Sequence, residues 1–493
     1  MMERRRPYGS TLCIPILRDD VYLVQSPKNV AEFFHNPKLA VSRPWSFVLG
    51  HCFGMSKTAV DAYLQDTSGT RPEPIPGSAP RSPQDRIAYM THENFTSGLL
   101  QHGLNPATDC FRAELQEFFK SSLDIGHDWA YMPDITDFFR QYLGSAIIRT
   151  LFGKALLTMN PTFLQDIWEY DDRVMDLAKR YPRLWIPRTY RARDRLLSAI
   201  TRWHTEANRA VEPTDESAWS DSVWGTKMMR DRYRALLGAT GQDKASVAST
   251  NLALIWASIS NVVPSTTTLA IQIFSDSSLL SSLRGSVSHL SPDLRPKELE
   301  TIPLLLSAYA ETMRFGVHIH VPRNAPHHNL QIQGVTIPRD KLIFVNTYLA
   351  HNDQVVWDTQ SGRKPLNQFC ADRFLVDPSD PSSGPTKKKP AATSENAEGE
   401  PQYSLEGLEG AWIPFGGGQQ ACPGRLLAKR IMLLSAALLI RDFDLELLIE
   451  GGKPDFHSPR FGFGVSKPTA PVPFRLRRRN HVCHPECPYY IDT

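Results

Sequence analysis

The stretch Phe415-Gly416-Gly417-Gly418-Gln419-Gln420-Ala421-Cys422-Pro423-Gly424 holds the residues best suited to chemistry in this chain. One cysteine follows a run of glycines and precedes an apolar segment with helical spacing. The glycines let the backbone turn and approach a flat group without Cβ clashes. Pro423 suits a first helical position, because the N–H it lacks would be unpaired there. Amide dipoles at a helix start favour a thiolate over a thiol at Cys422. A thiolate presented by such a loop is a suitable axial ligand for haem iron, where its electron push favours O–O cleavage. A buried cysteine beside a glycine turn is the competing reading, and it leaves the rest of the pattern unexplained.

Two charge patterns accompany the loop. Glu311 and Arg314 lie three apart in the helical pattern Ser307–Arg314, so they project from one face. Alone, E-x-x-R is common, but here Ala371-Asp372-Arg373-Phe374 follows it upstream of the cysteine loop. The spacing F-x-x-G-x-x-x-C-x-G resembles the haem-binding loop of the cytochrome P450 family, and the likeness runs from about Thr11 to Arg479. The resemblance implies haem b (iron protoporphyrin IX) with Cys422 as the iron's axial ligand and Phe415, Gly418 and Gly424 shaping the loop around it. It also implies that Glu311, Arg314 and Arg373 form a buried triad that locks the core behind the loop. Such a triad is tolerated only when every member is paired. His320-Val321-Pro322-Arg323 resembles the segment whose arginine binds a haem propionate, a task suited to a bidentate guanidinium fork. Arg112 is the candidate for the other propionate. Thr108 stands where the family often has an aromatic, and Gln420 where many members have Arg or His. Propionate binding is therefore expected to be lighter in charge than usual.

Asn251–Phe274 is long and apolar enough for a central helix over the haem, with Pro264 kinking it and freeing carbonyls one turn earlier. Most family members carry an acid–threonine pair here that relays protons to dioxygen. Aligned with that motif, Ser260 takes the place of the acid and Asn261 that of the threonine. An amide has no useful pKa, so Asn261 cannot be a general acid, although it can hydrogen-bond a peroxide or orient a water. The W-A-S-x-x-N-x-x-P pattern resembles the branch containing the bile-acid sterol hydroxylases and prostacyclin synthase. So do Arg460–Val465 with Val472-Pro473-Phe474, and Tyr190–Leu196. Branch members insert oxygen or rearrange an endoperoxide without it. An ordinary polar residue relieving a kink is the plain alternative for Asn261.

These residues need a large scaffold, and 493 residues supply one. The expected fold is mainly α with a small β-rich lobe at the N-terminal side, as in cytochromes P450. Thr11–Leu17 and Val21–Gln25 read as a hairpin, and Pro27–Phe34 as a helix after it. Thr67–Asp85 reads as an irregular loop, which in the family crosses the distal haem face. Helical periodicity marks Phe111–Leu123, Thr136–Phe152, Phe163–Tyr181 and Tyr190–Arg209. The last two are joined by Pro182–Pro187, whose apolar residues can dip into a membrane or pack beneath a lid. Leu330–Ile337 and Lys341–Asn346 read as a hairpin around Pro338-Arg339-Asp340. The expected organisation is a basic stub at 1–10, one catalytic domain at 11–479 with a disordered insertion at 376–402, and a tail at 480–493.

A net charge of +3 gives no case for nucleic acid, and the run Arg475–Arg479 reads as a solvated strand end. Seven scattered cysteines point to a reducing compartment. Cys483-His484-Pro485-Glu486-Cys487 is a poor zinc site, since structural zinc needs four well-spaced ligands. The family's usual anchor helix, hinge and first helix are not found ahead of the hairpin. Either the protein is soluble or its true start lies upstream of Met1; the second is favoured, placing it on the cytosolic face of the endoplasmic reticulum. The resemblance implies a monooxygenase that takes electrons from NADPH through a cytochrome P450 reductase. It would insert one atom of dioxygen into a lipophilic terpenoid, sterol or other secondary metabolite. A haem-thiolate isomerase or dehydratase acting on a peroxide without reductase is the first alternative, and a non-enzymatic haem protein the second.

Overall fold

The structure, a computed structural model, describes residues 11–16, 19–122, 125–209, 219–388, 399–450, 454–457 and 461–480. Arg460 and the run Cys483–Cys487 lie outside them. Helices dominate. In the first half come α1 (Pro27–His35), α2 (Ser42–His51), α3 (Lys57–Gln65), α4 (Ile87–Leu99), α5 (Leu104–Glu117) and α6 (Ile135–Phe152). Then come α7 (Lys154–Met159), α8 (Phe163–Ala178), α9 (Pro187–Arg209) and α10 (Lys227–Leu237). The second half has α11 (Lys244–Ile259), α12 (Val262–Phe274), α13 (Ser277–Ser288), α14 (Pro296–Leu299), α15 (Pro303–Gly316), α16 (Thr347–His351) and α17 (Arg425–Asp442).

Local chemistry accounts for several boundaries. Asp243 caps α11 by accepting from Ser246 N–H at 2.7 Å, while the Ser246 hydroxyl accepts from Asp243 N–H at 2.7 Å. Asp134 and Asp276 cap α6 and α13 by accepting from Thr136 N–H and Leu279 N–H, without the reciprocal bond. Sequence patterning passed over α2, α3, α4, α10 and α13, whose apolar stripes are short and interrupted by polar residues. It placed the start of α5 late, and that helix runs on into a π-turn over Phe118–Ser122.

Five strands form the β lobe in the order Leu12–Ile16, Asp19–Val24, Leu342–Asn346, Val317–Asn324, Phe463–Val465. Val345, Ile343, Val24 and Tyr22 send their side chains into a small core beneath this sheet, closed by Val30, Phe33 and Phe34 of α1. A much larger core joins the helices. The expected hairpin around Pro338 is corrected here. Leu330–Ile332 pairs with Val335–Ile337 across Gln333-Gly334, and both turn residues have positive φ. Leu342–Asn346 joins the main sheet instead.

The ends of the expected insertion at 376–402 are built into the fold, while residues 389–398 lie outside the described residues. Leu375 and Val376 pair with Tyr403 and Gln402. Thr386 is buried against Trp357, and Asp358 N–H donates to the Pro385 carbonyl at 2.8 Å. Polar residues order this stretch through local turns, Asp377 with Ser379 and Asp380 with Ser382, rather than through apolar burial. The arginines of Phe474–Arg478 are committed rather than free at a strand end. Arg475 and Arg477 pair with Glu446 and Asp444, and both stack on Trp129.

Candidate haem-thiolate site

The central helix is two helices. α11 ends at Ile259, α12 begins at Val262, and Ser260 and Asn261 make the turn between them. Pro264 sits in the first turn of α12, where a missing N–H is harmless, rather than kinking an unbroken helix as the sequence implied. It has no N–H to offer the Ser260 carbonyl, so the chain is free to break there. Ser260 is buried. The Asn261 Oδ1 is buried too, with no hydrogen-bond partner among the described residues. A buried amide oxygen without a donor is costly unless a ligand or water supplies one.

α12 packs along α17, and α17 begins immediately after the glycine loop. Tight packing shapes that loop. A Cβ at Gly418, where φ is +63°, would fall 2.0 Å from the Phe34 carbonyl oxygen, and one at Gly417 would fall 2.3 Å from the Phe34 ring. The Cys422 N–H donates to the Phe415 carbonyl at 2.9 Å, closing the loop on itself. Gly424 is the N-cap of α17, so Pro423 lies just outside the helix rather than at its first position. Cys422 is exposed. Burial of its surroundings pushes the thiol pKa up, against the Gly424 N–H and Arg425, which both favour the thiolate. The helix-start effect expected from sequence is present but is outweighed by desolvation, so a bound cation is what would hold the thiolate form.

Arg323 supports the reading of an anionic planar ligand beside this loop. Its guanidinium donates to the Gln420 carbonyl at 3.0 Å and to the Pro322 carbonyl at 2.8 Å, and lies over Phe34. Among the described residues no carboxylate comes within salt-bridge distance of it. Burial lowers its pKa to about 10. A buried guanidinium without a counter-charge is strongly disfavoured. Arg71, which bonds Gln419, shares with Arg323 a recess lined by Phe34, Gly417 and Gln420. Gln420 donates to the Leu39 carbonyl, while its own Oε1 is buried with no partner among the described residues. An accessible thiol and a buried cation that meets no carboxylate among the described residues together fit haem with its propionates.

Arg112 is not brought to this site. It donates to Asp109 and to the Asp293 carbonyl, while the adjacent Pro292 carbonyl takes Arg441 near the last turn of α17. The eighteen residues of α17 span about 27 Å, and Cys422 is at the opposite end. The assignment failed because α5 lies beside α17 rather than across the loop: Thr108 receives Arg430. The helix that reaches the loop is α4, which the sequence did not reveal. Its half-buried His92 feels Arg425, whose charge joins burial in lowering the imidazole pKa.

The triad is assembled as expected. Arg314 meets Glu311 at 2.7 and 2.9 Å, and Arg373 Nε lies 3.0 Å from both carboxylate oxygens. All three residues are fully buried. The remaining guanidinium protons go to carbonyls of His351, Lys364, Leu366, Pro365 and Gln368, and Cys370 N–H also donates to Glu311. His351 links the triad to the cysteine segment, and no sequence motif marked it. Its Nδ1 donates to the Arg314 carbonyl at 3.1 Å, and its Nε2 accepts from Ile413 N–H at 3.1 Å. That pair of bonds requires the neutral ring, and burial lowers its pKa to about 3. His204, bonded to Asn251 at 2.9 Å, is also held down to about 3 by burial.

A histidine depressed in the folded state resists protonation only while folded. Its contribution is complete above the unfolded value near 6.5 and is lost as pH falls toward 3. At pH 5 each of His351 and His204 should cost about 2 kcal/mol of stability relative to pH 7.5. Denaturant midpoints measured at the two pH values check this, and equal midpoints would show that the rings are not buried neutral.

A mainly helical fold that sets an accessible cysteine in a glycine loop, beside a buried arginine that meets no carboxylate among the described residues, defines the class of haem-thiolate proteins. The cytochrome P450 family model matches residues 86–474, and the chain belongs to that family. Cytochrome P450 monooxygenase efuG of Hormonema carpetanum is 34% identical over 374 residues, 72% of this chain; the chain spans 66% of that relative's length. The 25-hydroxycholesterol 7-alpha-hydroxylase of Rattus norvegicus is 21% identical over 74% of this chain and 84% of its own length. The structure of retinoic acid bound cyanobacterial CYP120A1 superposes with a TM-score of 0.63 at 16% identity, covering 95% of this chain and 92% of that one. That last likeness establishes the fold.

Proposed function

We propose that this protein is a haem-dependent monooxygenase acting on a lipophilic small molecule of terpenoid or sterol type, with electrons from NADPH delivered through a cytochrome P450 reductase. The observation that carries the proposal is the accessible Cys422 thiol in its glycine loop beside the uncompensated Arg323. When bound there, haem supplies the activation of dioxygen that places one oxygen atom in an unactivated C–H bond and releases the other as water. Cys422 would hold the iron, Phe415, Gly418 and Gly424 would keep the loop in shape, and Arg323, with Arg71 nearby, would neutralise the propionates. The break at Ser260 and Asn261 gives a place for a water or an oxygen ligand, with the Asn261 amide oxygen as acceptor. The similarity to a 25-hydroxycholesterol hydroxylase supports a polycyclic apolar substrate. Dependence of product on reductase and NADPH tests the reading; product formed equally without them would favour an isomerase.

Asn261→Thr should change the coupling of electron use to chemistry, because the amide can orient a water and cannot relay a proton. Product formed per NADPH consumed should shift severalfold. Unchanged coupling would make Asn261 merely the residue that ends a helix. Peripheral membrane contact through the α8–α9 connection also belongs to this proposal. Leu184 is 87% and Trp185 72% exposed there, beside Arg180, Arg183 and Arg188. Trp185→Ser should weaken flotation with phosphatidylcholine vesicles, and undiminished flotation would remove this segment from the contact.

A further inference from the structure

Asp171 of α8 is fully buried, yet it is part of neither the haem site nor the triad. One of its carboxylate oxygens accepts from the Trp256 indole Nε1–H at 2.8 Å, and the other from Lys467 Nζ at 2.9 Å. Lys467 also reaches Asp172, which takes Arg140 of α6 at 2.6 Å. One carboxylate thus ties α8 to α11 and to the strand Lys467–Pro468. The indole N–H satisfies the carboxylate oxygen that the lysine leaves open, as a buried ion pair requires. The same bond fixes which way a large flat ring faces.

Trp256 lies five residues before Asn261, and its carbonyl accepts from Ser260 N–H in the last turn before the helix break. Its ring sits 5.7 Å from Phe53 and 6.0 Å from Phe463. Phe463 pairs with Ile319 in the strand Val317–Asn324, whose Arg323 bonds Gln420 of the cysteine loop. Phe53 stacks in turn on Tyr170, whose hydroxyl donates to the Cys52 carbonyl. Phe463, Trp256, Phe53 and Tyr170 thus form a continuous run of rings from the strand Val317–Asn324 to α8. An extended wall of rings suits a rigid, fused-ring apolar substrate.

We propose that Asp171 is a positioning residue that fixes the Trp256 indole as this wall and thereby selects which carbon of a fused-ring substrate faces the haem. The proposal rests on the monooxygenase reading for its product readout. Asp171→Leu combined with Lys467→Met removes the buried pair without stranding a charge, a replacement that folds well elsewhere. Trp256→Phe keeps a ring but removes the N–H. Both act through one group, so their effects on product distribution should not add. With reductase, NADPH and 25-hydroxycholesterol, the ratio of major to minor hydroxylated products should fall at least fivefold in each variant. The combined triple variant should fall no further, with haem content unchanged throughout. An unchanged ratio in the double variant would overturn the proposal and leave Asp171 a structural ion pair.

A second readout does not need turnover. In holoenzyme labelled with 15N-tryptophan, the Trp256 indole resonance is the one missing from Trp256→Phe. Adding 25-hydroxycholesterol should shift it in the wild type, whereas no shift would overturn the wall assignment. A shift without any turnover would keep the wall and count against the monooxygenase reading alone.

Discussion

Cys422→Ala should leave a protein that folds yet gives no turnover above background and shows no sulfur in the iron's coordination shell. Cys422 is the only cysteine in the glycine loop, and it is exposed. The loop's shape does not depend on the thiol, because the Cys422 N–H to Phe415 carbonyl bond and the close contacts of Gly417 and Gly418 with Phe34 remain. Iron X-ray absorption on reconstituted wild type and variant separates the cases. A sulfur scatterer that persists in the alanine variant, or oxidation retained by it, would place the ligand elsewhere.

Glu311→Ala should be the most damaging change away from the loop. It removes the single carboxylate that two fully buried guanidinium groups share at 2.7 to 3.0 Å. Breaking a buried charge cluster by deleting one partner costs about 3–5 kcal/mol, a large part of a typical folding stability. Damage would reach the haem site by a defined route. Arg314 presents its carbonyl to His351, and His351 accepts from Ile413 N–H two residues before Phe415. The variant should be purified in low yield and haem-poor. Normal haem content and an unchanged denaturant midpoint would show that the triad does not support the loop.

Legibility of this fold in the sequence followed the range over which each signal acts. The cysteine loop, the periodic helices α6, α8 and α9, and the triad rest on short spacings or strong local patterns. They stand in the structure where the residues implied. The haem contact assigned to Arg112 depended instead on which helix crosses the loop, a tertiary fact that no local spacing carries, and α5 runs along α17. His351 and Asp171 escaped notice for the same reason. A neutral histidine between two backbone groups and an aspartate beneath an indole have no sequence signature until the chain is folded. Pro264 marked an opening one turn earlier, which stands at Ser260 and Asn261, although it lies three residues into a new helix rather than at a kink within one. Thr386 and Asp377 show that a segment poor in apolar residues can still be ordered by strand closure and side-chain turns at its ends.

The central claim, reductive activation of dioxygen at Cys422-bound haem, is tested most directly by isotope. Reconstituted protein would be incubated with a lipophilic extract from cells lacking it, under 18O-labelled dioxygen, with and without reductase and NADPH. A product carrying one labelled oxygen, formed only when reductase and NADPH are present and absent with Cys422→Ala, is the expected result. A product of unchanged mass formed without reductase would contradict it and assign the site to isomerisation.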